Sequence, residues 1–230
     1  MKLIGIVGRA YYNKDNQEII QLNEYVRKAL TLYDDVVSIV ILPTNDSFYC
    51  NLDMGEDKID NNDKKKLDYV LDMCDGFIVP GGTNWYKFDE YVIEYAIRED
   101  KPLLAICLGF QCLCSMYATD RDKFDMTKKL GNDSHYGNPR KYIHSNSVLD
   151  NTLLKKILNK DNFLVNSVHH DYIDFEMNTL IVSSYSEDGI IEAVEMPNKK
   201  FILGVQWHPE YLMYGDSVKI FNCFIDSIKK

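Results

Sequence analysis

Short apolar runs that stop at glycine or proline, separated by stretches with helical spacing, restrict this chain more than any other feature. Leu3–Val7 stops at Gly8, Val36–Leu42 at Pro43, Gly76–Val79 at Pro80-Gly81-Gly82, and Leu103–Ile106 at Cys107-Leu108-Gly109. Runs bounded in this way predict buried strands. Between them, Ile19, Leu22, Val26, Ala29 and Leu30 fall on one helical face. Leu67, Val70, Leu71 and Cys74 do the same, as do Phe88, Tyr91, Val92, Tyr95 and Ala96. Alternating strands and helices predict an α/β fold with a mostly parallel central sheet flanked by helices on both faces. Its crossovers are expected to be right-handed. The Asn- and Asp-rich residues 44–62 read as a surface loop.

After residue 119 the pattern changes. Thr119–Lys141 is polar and charged and reads as an irregular excursion. Phe163–Ser167, Leu180–Tyr185, Gly189–Val194 and Phe201–Gln206 read as strands without long helices between them, so the C-terminal half should carry a smaller antiparallel portion. Val218, Phe221, Ile225 and Ile228 predict a closing amphipathic helix. No repeat or low-complexity linker interrupts the chain, and residues 1–230 are expected to form a single domain. A chain of this mass buries about 72% of its extended surface on folding. Its 46% hydrophobic residues can fill the resulting core.

The formal charge of −9 argues against broad binding of nucleic acid. No apolar run is long enough to span a bilayer, and the apolar start is too short for a secretory signal. A cytoplasmic protein with no membrane partner is the expectation. The six cysteines, at 50, 74, 107, 112, 114 and 223, show no paired C-x-x-C clusters, so no zinc or other metal and no disulfide framework is expected.

Ligands of open α/β sheets collect at the carboxyl ends of the strands. Cys107 sits there, between a strand and a helix, with Gly109 two residues on. A tight strand–nucleophile–helix turn presents such a side chain, and a helix N-terminus favours an anionic sulfur. Pro80-Gly81-Gly82 can bring a second backbone N–H close enough to complete an oxyanion hole. Position alone leaves the commoner role of a free cysteine, a small buried hydrophobe, in play. A partner histidine would decide between the two. Of the histidines at 135, 144, 169, 170 and 208, His208 follows the apolar stretch Phe201–Trp207 and precedes Pro209-Glu210. That placement suits a base oriented by a carboxylate, although a surface histidine near a turn has the same local signature.

Taken together, Pro-Gly-Gly at 80–82, Ile-Cys-Leu-Gly-Phe-Gln at 106–111 and Gly-Val-Gln-Trp-His-Pro-Glu at 204–210 resemble the class I glutamine amidotransferase-like superfamily. The resemblance covers nearly the whole chain. It implies a Cys107–His208–Glu210 triad with an oxyanion hole from the N–H groups of Gly82 and Leu108. Val165-Asn166-Ser167-Val168-His169-His170-Asp171 and Asp188-Gly189-Ile190-Ile191-Glu192-Ala193 further resemble the γ-glutamyl-γ-aminobutyrate hydrolase group of cysteine peptidases. That likeness implies hydrolysis of a γ-glutamyl amide of a small molecule without metal or organic cofactor, and puts His169 or His170 near the pocket, against the plainer reading of a histidine pair that closes a strand end. Gly81 and Gln111 are the further candidates for holding the substrate. Leu108, Thr83-Asn84-Trp85 and Met116-Tyr117-Ala118-Thr119 depart from the group's pattern, which leaves the leaving amine open. Two other readings stand beside it: a glutaminase subunit that passes ammonia to a synthetase partner, and a non-catalytic or redox-sensing protein of the same fold. A homodimer is compatible with all three.

Overall fold

The computed structural model describes residues 1–44, 60–120 and 127–228. The chain opens with strand β1 (Lys2–Val7), then a hairpin of β2 (Arg9–Tyr12) and β3 (Glu18–Gln21), helix α1 (Glu24–Leu30) and β4 (Val36–Ile41). Helix α2 (Asn61–Met73), β5 (Gly76–Val79), α3 (Lys87–Arg98), β6 (Leu103–Ile106) and α4 (Leu108–Met116) follow. The second half contains β7 (Lys128–Lys129), β8 (His144–Val148), α5 (Leu153–Leu158), β9 (Asn162–Val165), β10 (Asp171–Tyr172) and β11 (Ile181–Ser186). It ends with β12 (Ile191–Glu195), β13 (Ile202–Val205), a 3-10 turn over Pro209–Tyr211 and α6 (Asp216–Ser227).

A nine-stranded sheet runs in the order β4-β1-β5-β6-β13-β12-β11-β8-β9. The strands from β4 to β13 pair in parallel. From β13 outward to β9 the pairing is antiparallel. The parallel sheet and its antiparallel extension are those the sequence predicts. Alternate side chains divide the core between two faces. Phe77, Val79, Leu103 and Ala105 pack with α2, α3 and α4, through residues such as Leu71, Val92 and Leu113. Ile78, Leu104 and Ile106 pack with α1, α5 and α6, through Leu30, Leu154 and Phe224. No described helix is long and apolar enough to cross a membrane.

Three local expectations are corrected. Ile19 belongs to β3 and not to the first helix, which starts only after Asn23, whose side chain accepts the N–H of Tyr25 at 3.0 Å. The turn before β3 is set by Asn13, whose side chain accepts the N–H groups of Asp15 and Gln17, and by Asn16 at φ 58°. Residues 45–59 of the expected loop lie outside the described residues; Asp60 already caps α2 by accepting the N–H groups of Asn62 and Asp63. The excursion after residue 119 contains β7, and β8 and α5 follow it unannounced. His-Ser-Asn-Ser-Val in β8 lacks an apolar run because Asn146 faces a buried polar cluster where a strand normally presents a hydrophobe.

Candidate active site

Four adjacent parallel strands each deliver one part of the site at their carboxyl ends. Arg9 follows β1, Gly81 and Gly82 follow β5, Cys107 follows β6, and His208 lies just past β13. Pairing of Ile106 with Val205, and the 2.8 Å hydrogen bond from Cys107 N–H to the Val205 carbonyl, bring the distant motifs side by side. A cleft of about 900 Å³ opens there, lined by Arg9, Gly81, Gly82, Cys107 and His208. The hairpin contributes Tyr11, Tyr12 and Glu18 to its wall.

Cys107 occupies the N-cap position of α4 at φ 51°, ψ −103°, a left-handed conformation that L side chains adopt only under constraint. The elbow expected to expose the thiol instead leaves the residue 7% exposed at the floor of the cleft. Gly109 allows the tight turn: a Cβ there would stand 2.1 Å from the Val79 carbonyl oxygen. Gly81 has a similar reason, since its Cβ would stand 2.7 Å from His208 Cε1 and displace the imidazole.

His208 Nδ1 lies 2.7 Å from Glu210 Oε1, which also accepts from Asn23 Nδ2 at 3.0 Å. Nε2 is left as the ring nitrogen for Cys107. Burial disfavours the imidazolium, but the charges of Glu210 and Cys107 and their hydrogen bonds to the ring outweigh it and raise the His208 pKa well above the ordinary value. The His208 backbone is held at both ends: Asn166 Nδ2 donates to its carbonyl at 2.8 Å and Asn166 Oδ1 accepts its N–H at 3.1 Å. Asn166, part of the Val-Asn-Ser motif, thus clamps the backbone of His208.

Arg9 is a participant that the sequence did not announce. Its guanidinium is buried, donates to the carbonyls of Pro80 at 3.0 Å and Gly81 at 3.1 Å, and pairs with buried Asp89 at 2.6 Å. In a trans peptide the N–H points away from the carbonyl. Fixing the Gly81 carbonyl therefore also fixes the direction of the Gly82 N–H. Leu108 is the first residue of α4, where the N–H has no intrahelical acceptor. No spacing rule links Arg9 to residues 80–82; the contact arises because β1 and β5 are sheet neighbours.

The other substrate candidates lie elsewhere. Gln111 is buried and donates to Gln206 Oε1 at 3.1 Å, away from the residues lining the cleft. His170 is about half-exposed and stacks on Tyr136 at 4.2 Å between ring centroids. His169 turns into a buried cluster with His135, His144 and Glu192. Val168, their neighbour, does reach the cleft.

A strand-end cysteine, a histidine and a buried carboxylate on a parallel sheet of this order define the class I glutamine amidotransferase-like architecture. The chain belongs to the Peptidase C26 family, which matches residues 86–210, and is thus a cysteine-type hydrolase or amidotransferase. It is 32% identical over 237 residues to the putative glutamine amidotransferase-like protein YvdE of Lactococcus lactis, with 91% of each chain covered. Identity to the putative glutamine amidotransferase-like protein RP404 of Rickettsia prowazekii is 27% over 225 residues, covering 71% of this chain and 80% of that one. Among solved structures, the glutaminase domain of Trypanosoma brucei CTPS with bound acivicin superposes with a TM-score of 0.66. At 16% identity over 99% of this chain and 94% of that one, it shows the shared fold.

Proposed function

We propose that this chain hydrolyses the γ-glutamyl amide bond of a small metabolite, with Cys107 as nucleophile, His208 as acid and base, and Glu210 as the group that orients His208. The observation that carries the reading is the His208–Glu210 pair at 2.7 Å beside Cys107, on the floor of a cleft walled by the chain's own hairpin. Cys107 Sγ, its proton taken by His208, attacks the γ-carbonyl carbon. The negative oxygen formed is met by the N–H groups of Gly82 and Leu108. As the C–N bond breaks, His208 returns the proton to the leaving amine, and a γ-glutamyl thioester remains on Cys107. Water activated by His208 then cleaves the thioester, releasing glutamate and the free thiol.

The cleft volume of about 900 Å³ is at the upper end for small-molecule sites and leaves room for a leaving amine larger than ammonia. The second reading, a glutaminase that supplies a synthetase partner, is favoured by the likeness to a domain of that kind in trypanosomal CTPS. Purified protein screened against a panel of γ-glutamyl amides, with glutamate release as readout, tests the proposal. An electrophilic glutamine analogue should label Cys107, located by peptide mass spectrometry. A panel that is uniformly inert, with no label on Cys107, would sink the hydrolase reading.

A further inference from the structure

The buried cluster in the antiparallel half has a chemistry of its own. His135 comes from the connection before β8, His144 from the start of β8, His169 from the loop after β9, and Glu192 from β12. Each offers one donor atom, and the four atoms lie within 4.8 Å of one another. His135 Nδ1 and His169 Nε2 are 3.3 Å apart, and Glu192 Oε1 is 3.3 Å from each of them. His144 Nε2 is 4.0 Å from the same oxygen.

The outer contacts set acceptors on the far side of two of the rings. His135 Nε2 faces both oxygens of Asp188 at 3.2 Å, and His169 Nδ1 faces the Asp171 carbonyl at 2.9 Å. Both partners are acceptors, so Nε2 of His135 and Nδ1 of His169 are the N–H positions of the neutral rings. The inward nitrogens, His135 Nδ1 and His169 Nε2, are then lone pairs. They converge on Glu192 Oε1, itself an acceptor, which makes no hydrogen bond despite complete burial. His144 also has both ring nitrogens buried without a hydrogen-bond partner. Three polar atoms at mutual distances of 3.3 Å need a positive centre among them, which a ring proton or a metal ion can supply; the tetrahedral spacing and the unpartnered His144 nitrogens favour the metal.

The structure assigns a divalent metal site to this cluster, of the zinc type, with His135, His144, His169 and Glu192 as ligands. Zinc–nitrogen and zinc–oxygen bonds of about 2.0–2.1 Å in a tetrahedron put neighbouring donor atoms about 3.3–3.4 Å apart. Three of the edges already have that length, and a small inward turn of His144 closes the fourth corner. Imidazole nitrogens with one carboxylate oxygen suit zinc better than the all-oxygen cations. Asp188 and the Asp171 carbonyl occupy the positions from which a backing acceptor orients a ligating histidine. Four protein ligands leave no open coordination position, so the site is structural. It would fasten the connection before β8 to the sheet, and with it the loop carrying Asn166, which holds the His208 backbone. Paired cysteines, the usual sequence mark of zinc, are absent, and these ligands are scattered over nearly sixty positions with no shared spacing motif.

The test uses the whole purified chain, stripped with a chelator and titrated with Zn²⁺ and with Co²⁺ as a spectroscopic probe. One equivalent should bind, the cobalt form should show the intense visible bands of tetrahedral Co²⁺, and the melting temperature should rise with metal concentration. Asp188→Asn, which removes the backing of His135, should weaken binding by about 10–100-fold. Glu192→Gln should abolish stoichiometric binding. If that variant fails to fold, His144→Ala, at the cluster's partly exposed corner, should weaken cobalt binding and shift its visible bands as water takes the vacated position. Cys107→Ala and His170→Ala should bind as the parent does. Folded parent protein that binds neither ion at one equivalent would overturn the assignment. So would binding that survives in Glu192→Gln, or binding lost in Cys107→Ala, which would place the ion at the cleft.

Discussion

At Cys107 the cost of function is visible in a single dihedral. A non-glycine residue at φ 51° stores about 1–3 kcal/mol of strain. Cys107→Ala keeps that strain and Cys107→Gly relieves it. Both should lose turnover by several orders of magnitude, while urea unfolding should find the glycine variant more stable than the alanine variant by about 1 kcal/mol. Thiol chemistry should single out the same residue. Burial pushes Cys74 up to about 11, Cys114 well above the ordinary thiol value, and Cys223 upward. Cys112 is fully buried, and Cys107 is the described cysteine that lines the cleft, so alkylation of folded protein at neutral pH should concentrate there.

His208 sets the pH behaviour. Its folded pKa is raised above that of the unfolded chain, so the stability contributed by the imidazolium is complete below about pH 6.5 and fades as pH rises through the folded value. On the proposed mechanism, the acid that protonates the leaving amine is lost over the same range. The alkaline limb of the rate profile should lie well above pH 6.5, and Glu210→Gln should move it down by removing one of the charges that raises the pKa. An unmoved limb would mean that Glu210 does not act through His208. Cys107, His208 and Glu210 were legible because each stands beside a strand end that glycine, proline or an apolar run marks. Arg9, Asn23 and Asn166 were not, because their roles are to hold groups many residues away. Arg9→Lys keeps the charge facing Asp89 but loses the planar fork that spans two carbonyls. It should lower kcat by up to about 100-fold with little change in KM, the signature of a weakened oxyanion donor. Arg9→Ala should instead destabilise the fold by about 3–5 kcal/mol, because it leaves buried Asp89 unpaired.

Among the elements, the parallel strands and their helices could be read from sequence because each buries a face and so carries a hydrophobic period. The β2–β3 hairpin could not. All four residues of β3 are exposed, Ile19 and Ile20 among them, so no core imposes alternation. Its readable signal was the Asn-Lys-Asp-Asn turn at 13–16 between two apolar or aromatic runs. β8 was silent for the opposite reason, since it is buried yet polar, facing Glu192 through Asn146 at 3.4 Å. Apart from Arg9, the hairpin buries little area and should contribute little to stability, which suits it to recognition under the proposed function. Tyr12 is 60% exposed at the cleft wall. Tyr12→Ala should change unfolding free energy by no more than about 0.5 kcal/mol. It should raise KM for a γ-glutamyl amine with a bulky leaving group more than for free glutamine. Equal effects on both substrates would show that the hairpin does not contact the leaving amine.

For the molecule as a whole, the sheet order decides whether the site is complete within one chain. Strands β1, β5, β6 and β13 are neighbours, and together they supply Arg9, the Gly81-Gly82 peptide, Cys107 and His208 with their hydrogen bonds already made. On the proposed hydrolase reading, a site arranged in this way needs no docking event to align its parts, in contrast to a glutaminase that becomes competent only when its synthetase binds. The isolated chain, without ATP or a second protein, should therefore release glutamate from at least one γ-glutamyl amine. Free glutamine should be the slower substrate, because contacts to a larger leaving group along the cleft can be used to stabilise the transition state. The comparison is made on kcat/KM, with kcat for the two substrates measured separately, since contacts that merely tighten ground-state binding would lower KM and leave kcat alone. Activity that appears only when a synthetase is added, with every γ-glutamyl amine inert, would install the glutaminase reading in place of the hydrolase.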